Sequence, residues 1–286
     1  MSTRSSQAPA PAASAAGAPP SAAGPSIPGS FATGMSRGGI ELKILFRDKM
    51  ELFFTLVFPV LLLVLLGSIL GGQIGPDATR SLVIGIITSG IFTVAFYGLA
   101  LRIGTERDDG TLRRLGATPL PKAAYFIGKT MHVVVAGIAE TVVLIAVAVV
   151  VFDLRLPGTL DRWLTLTWVL ALSAIAFTLL GIAFSSLVTA RNGPVVVLPA
   201  YLVLQFISGV FFPFNSLPAW LQQIAALFPL KWSVQGMQSA FLPDSAMART
   251  PSGAWEHDRI ALVLGAWIIG GLVLSLLTFR WSKAKS

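Results

Sequence analysis

The chain has 286 residues, 54% of them hydrophobic and 12% charged, with a mean hydropathy of +0.76; soluble domains carry roughly 25% charged residues, so the composition argues against a water-soluble fold. Its net charge of +8 sits in segments that flank apolar blocks and lacks interleaved aromatics, which favours membrane topology over nucleic-acid binding. The absence of cysteine removes disulfides, thiolate catalysis and cysteine-based metal sites.

Residues 1–34 are Ala, Pro, Ser and Gly with Arg4 as the one charge. They have no apolar periodicity, and their prolines interrupt any signal-peptide h-region, so a disordered cytoplasmic tail is expected ahead of a transmembrane domain at 35–286. Between Gly39 and Glu51, a helix would place Leu42, Leu45, Phe46 and Met50 on one face, with Lys49 able to snorkel. That pattern predicts an amphipathic interfacial helix, with a cytosolic extension of the first span as the alternative.

Six apolar segments follow at about 52–71, 82–101, 131–152, 164–188, 195–212 and 260–279, each near the roughly 20 residues that cross a bilayer. The expected fold is therefore an all-α polytopic membrane protein with six transmembrane helices. Residues 192–230 carry no formal charge, but Pro213, Pro218 and Pro229 disfavour a seventh crossing. A short extracellular re-entrant hairpin before the sixth span fits better. Six spans place fifteen Lys and Arg on one side and six on the other, which puts both termini in the cytoplasm.

The loop between the second and third spans is unusually ordered in pattern. Glu106, Arg107, Asp108, Asp109, Gly110 and Thr111 lead into Leu112 and Leu115, three apart on one helical face and flanked by Arg113 and Arg114, and Thr118 and Pro119 end the segment. A short amphipathic cytoplasmic helix is expected, resting on either the lipid interface or a partner protein. Its residues Glu106-Arg107, Gly110-Thr111-Leu112, Leu115 and Thr118-Pro119 resemble the corresponding loop of the ABC type-2 transporter permease family, in particular the daunorubicin-resistance-like drug-export membrane subunits. Ser208-Gly209-Val210-Phe211-Phe212-Pro213, Leu217-Pro218, Trp220-Leu221 and Phe228-Pro229-Leu230 are similar to that family's segment before its last span.

The resemblance covers roughly residues 36–280. It implies a permease of the bacterial cytoplasmic membrane that forms a homo- or heterodimer and exports a hydrophobic or amphipathic compound such as a drug, lipid or glycan. It also implies that the loop is a coupling helix docking a cytosolic ATP-binding subunit through Glu106, Arg107, Gly110, Thr111, Leu112, Leu115, Thr118 and Pro119. ATP and Mg are expected on that partner, with no cofactor or metal on this chain and no catalytic residue. Gly128-Lys129-Thr130 is the one Gly-Lys-Thr, and Ala123 stands where a phosphate-binding loop needs glycine.

Glu140 is the single acid inside a predicted span; its ionised form would cost on the order of 3 kcal/mol in lipid, so it must face protein or a wet cavity. A substrate contact and a structural hydrogen bond are both open readings for it, as they are for Gln205 in the fifth span. His132 and His257 are too isolated to form a metal site. Gly67 and Gly71 form a GxxxG that would suit close helix approach, within the chain or across a dimer. An ion-coupled transporter or channel is the alternative function, disfavoured by the lack of several intramembrane ionisable groups.

Overall fold

The computed structural model describes residues 29–279. The tail up to residue 28 and the basic cluster Arg280, Lys283 and Lys285 lie outside them. Among the described residues every regular element is helical.

Helix α1 (Ser30–Arg47) begins five residues before the expected start of the transmembrane domain. It packs along α5 (Lys122–Phe152), and its buried face is Gly34, Gly38, Glu41 and Leu45. This corrects the expected face, since Phe46 and Met50 point outward. The spacing of four, three and four residues is that of a helical stripe, and two glycines in it let the helix backbones approach closely. A carboxylate therefore occupies the stripe that apolar periodicity alone would give to leucine.

One turn at Lys49–Leu52 leads into α2 (Phe53–Ile74), which is long and apolar enough to cross a membrane but buries little of its surface. The two glycines of its GxxxG are both used inside the chain, Gly67 against the Phe152 ring and Gly71 against Thr79. Helix α3 (Pro76–Asp108) has 33 residues, giving a length of about 50 Å. It overruns the predicted segment 82–101 at both ends. Leu82 through Phe92 are buried without interruption, which makes α3 the centre of the bundle. Phe92 stacks on Phe96, with ring centroids 5.0 Å apart, and meets Phe177 edge-on. Residues Thr93–Gly98 of α3 adopt π-helical hydrogen bonding; such turns hold an extra residue and recur at functional sites.

The short α4 (Thr111–Gly116) follows. Helix α5 then has 31 residues, starting well before the predicted 131, and α6 (Leu160–Leu187) has 28. The predicted fifth span, 195–212, is observed as α7 (Gly193–Ile207), only 15 residues long and about 22 Å in rise. The difference has a local cause: Gly209 takes a φ of 79°, and the chain turns there ahead of Pro213.

Helix α8 (Ala219–Ala225) and α9 (Pro229–Phe241) then fold back into the bundle. Twelve of the thirteen residues of α9 are buried, enclosed by α3, α6 and α10 (His257–Thr278). The returning segment is thus a buried structural element and more than a surface loop. Phe279, at the close of α10, packs on the rings of Tyr125 and Phe126. That contact sets the end of α10 at the same end of the bundle as α1.

Candidate functional site

The end of the bundle that holds α1 and α4 carries a dense ion cluster. Glu41 of α1 is almost fully buried and lies 3.0 Å from Arg102 of α3, 3.0 Å from Lys129 of α5 and 3.3 Å from Arg37. Lys129, itself without exposed surface, also donates to Glu106. Glu106 accepts the Tyr125 hydroxyl at 2.8 Å and lies 3.6 Å from Arg102. Three helices are thereby tied by charge-assisted hydrogen bonds that hold only in this arrangement. A further tie runs to the end of α6 and the connection after it, where Arg107 donates to the Ser185 carbonyl at 2.8 Å and Asp108 accepts the Ala190 N–H at 2.6 Å.

Burial alone would raise the Glu41 pKa, but Lys129, Arg102 and Arg37 outweigh it and hold the carboxyl below its ordinary 4.5. A folded value below the unfolded one means that the stabilisation is complete above about 4.5 and is lost as pH falls through the lowered folded value. Amides of α1 are therefore expected to lose hydrogen-exchange protection relative to those of α6 as pH is taken below 4.5. Equal protection of both helices across that range would show that the cluster does not hold α1.

The loop expected to be a coupling helix forms locally as its residues dictate. Gly110 supplies a φ of 79° that sets α4 off from α3. The Thr111 N–H donates to Asp109 Oδ1 at 2.8 Å, and hydrogen bonds from Thr111 keep the Asp109 carboxyl below its ordinary value. The Thr118 hydroxyl closes the turn on the Leu115 carbonyl.

The sequence-predicted docking residues divide into two sets. Leu112 is fully buried in the chain's own core, Leu115 packs half-buried against it, and Glu106 and Arg107 are spent on the internal ties described above. Of the expected set Thr118 and Pro119 face outward, and beside them lie Asp109, Arg113, Arg114, Gly116 and Ala117, which were not part of it. The apolar face of α4 is thus its anchor to the bundle, and its polar face is what remains free.

Further into the bundle, a cavity of about 720 Å³ runs from Arg102 and Thr105 to Glu140, walled by α2, α3, α5 and α7. Glu140 is 1% exposed, and neither carboxylate oxygen has a hydrogen-bond partner. Opposite it, Gly90 of α3 leaves room for the carboxyl, since a methyl group there would lie 2.6 Å from Oε1. Thr93 of the π-helical turn bonds the Tyr201 hydroxyl at 2.8 Å. Gln205 also bonds Tyr201, so of the two polar span residues singled out in the sequence Gln205 has a partner and Glu140 has none.

Neither Glu41 nor Tyr201 stands out in the sequence, and Lys129 does so only as part of the one Gly-Lys-Thr. The available signal for Glu41 was its place in the Gly34–Gly38–Leu45 stripe. A second cavity of about 640 Å³ lies at the opposite end, where Lys231 bonds Gln235 at 2.6 Å and sits over the Trp232 ring.

Comparison with known proteins points in one direction. Residues 40–242 match the family described as ABC-2 type transporter. Over 191 residues, 65% of the chain, there is 24% identity to the "Probable multidrug ABC transporter permease YbhR" of Escherichia coli (strain K12), of which 49% is covered. The chain thus spans about half the length of that relative. Identity is 25% over 203 residues, 67% of the chain, to the "Probable doxorubicin resistance ABC transporter permease protein DrrC" of Mycobacterium tuberculosis (strain CDC 1551 / Oshkosh), covering 70% of it. It is 21% over 218 residues, 71% of the chain, to the "Inner membrane transport permease YadH" of Escherichia coli (strain K12), covering 83%.

Proposed function

Because this chain belongs to the ABC-2 type transporter family, we propose that it is the membrane-spanning permease subunit of an ATP-driven exporter of the bacterial cytoplasmic membrane. It moves a hydrophobic or amphipathic compound outward using ATP hydrolysed, with Mg, on a separate cytosolic subunit, and it works as a dimer of permeases. The names of its relatives favour drug-like cargo over lipid or glycan.

The observation that carries this reading is the continuity of α3. One end of the helix bears the α4 loop and the ion cluster, and residues between Thr93 and Thr105, in the half beside that end, line the Glu140 cavity. A push on the outward face of α4 would thus reach the cavity wall through one helix. Six crossings with both termini cytoplasmic accompany the reading, with α7 as a short fifth crossing completed by the turn after it. The shared location of α1 and Phe279 supports that parity, and so does the excess of Lys and Arg on the α1 side.

The test is reconstitution with an ABC ATP-binding subunit encoded beside this chain. The docking surface is the polar face of α4, so Arg113→Glu combined with Arg114→Glu should abolish co-purification and the stimulation of ATP hydrolysis. Both side chains are outward-facing, so stability should change by no more than about 0.5 kcal/mol. Undiminished ATPase binding by the double variant would refute docking at α4.

A further inference from the structure

We infer that the Glu140 cavity is a binding site for a hydrophobic monovalent cation, with the positive group on the Glu140 carboxyl and the apolar body among Phe54, Phe58, Tyr97 and Tyr201. The inference rests on the exporter reading and adds to it the charge of the cargo.

A carboxyl that is buried in a membrane-spanning helix and meets no donor is costly to keep, because burial strips water from it and nothing in the protein replaces the lost hydrogen bonds. Glu140 is in that position, with both oxygens unpartnered. A purely structural role would have it bonded to a neighbouring helix, as Ser173 is to Ser233 at 2.7 Å. The helix facing it offers Gly90, which has no side chain to donate. Glu41 makes the contrast plain: it is as deeply buried and has three cations around it.

The surroundings fit an organic cation. Among the described residues that line the cavity, Glu140 is the one acid, and about 720 Å³ accommodates a drug-sized molecule. Arg102 stands toward the other end, but its charge is already matched by Glu41 and Glu106; His132 lies on the same wall. The Tyr97 and Tyr201 rings lie 5.1 Å apart and present aromatic faces of the kind that attract cations. Phe54 and Phe58 of α2 are partly outward-facing, which gives an amphiphile a route from the lipid. A metal ion fits poorly, since no group of three or more His, Cys, Asp or Glu able to hold one occurs among the described residues.

The experiment measures equilibrium binding of tetraphenylphosphonium to the full chain in lipid nanodiscs, beside the neutral triphenylphosphine oxide. Wild-type protein should bind the cation saturably and prefer it to the neutral compound. Glu140→Gln should weaken cation binding by about tenfold or more without changing the neutral compound, and Glu140→Asp should retain most of the affinity. Equal cation binding by wild type and Glu140→Gln, or no preference for the cation, overturns the inference.

Should Glu140→Gln fail to fold, wild-type protein suffices. Dicyclohexylcarbodiimide should label Glu140, as read by peptide mass spectrometry, and tetraphenylphosphonium should protect it; labelling that the cation leaves unchanged, or no labelling, overturns the site. ATPase recruitment is scored separately on the same preparation. Charge-blind binding by a chain that recruits the ATPase defeats the cation site alone, whereas cation binding by a chain that recruits none keeps the site and defeats the exporter reading.

Discussion

Replacing Lys129 by methionine should destabilise the folded chain by about 3–5 kcal/mol, the cost of leaving a buried charge without its partner, and should release α1 from α5. The ammonium has no exposed surface, donates to Glu41 at 3.0 Å and to Glu106, and lies 5.4 Å from the centre of the Tyr125 ring. Methionine keeps the length of the stem and its packing, so the variant isolates the charge. Two carboxylates would then share Arg102 and Arg37, while Glu41 remains almost fully buried.

The double variant Glu41→Gln with Lys129→Met removes both charges and should recover most of the loss, because replacing a buried pair by neutral groups is often close to neutral. Thermal denaturation of the purified chain, followed by helix content, reads both results. An unchanged midpoint for Lys129→Met would mean that α1 is held by its glycine-lined packing and that the ion cluster is incidental.

The second large effect is expected at Leu112. Truncating a core leucine costs about 2–5 kcal/mol, and Leu112→Asp adds the burial of a carboxylate in the apolar cluster that Leu112 shares with Ile103, Tyr125 and Val188. The variant should lose hydrogen-exchange protection throughout residues 109–118, and it should lose the ATPase as a result. Leu115→Asp, at a half-buried position, should do the same to a smaller extent. The comparison with the outward-facing arginines separates two causes of one phenotype: Arg113→Glu with Arg114→Glu loses the partner from a folded loop, whereas Leu112→Asp loses it by unfolding the loop. Normal protection of α4 in Leu112→Asp would contradict the anchoring role.

How far the sequence reached depends on what each signal measures. Hydropathy finds residues that avoid water, so the five long apolar helices were legible, and only their ends differ. It does not separate the lipid-facing α2 from the protein-enclosed α3, because both solvents are apolar; the charged run from Arg102 to Asp108 reads as loop although the helix continues through it.

The α4 loop was legible as a helix, but its orientation was not. The same two leucines fit a partner's groove or the chain's own core, and Leu112 shows the second. Glu41 was hidden for a related reason: local pattern treats a charge as a surface mark, and its three cations come from positions 37, 102 and 129. Glu140 was singled out because its cost in lipid is a property of one residue, whereas Tyr201 looked like any aromatic in an apolar run.

The π-helical turn at Thr93–Gly98 sets the angular phase between the two halves of α3. An added residue in one turn rotates everything beyond it by about 100° relative to an uninterrupted α-helix. Arg102, Glu106 and Arg107 meet Glu41, Lys129 and the end of α6 in that rotated frame, while Gly90, before the turn, meets Glu140 in the unrotated one. Were the turn to tighten into plain α-helix, the two contact sets would fall out of register, so the rod can hold the ion cluster and leave room for the carboxyl together only while it keeps this irregularity.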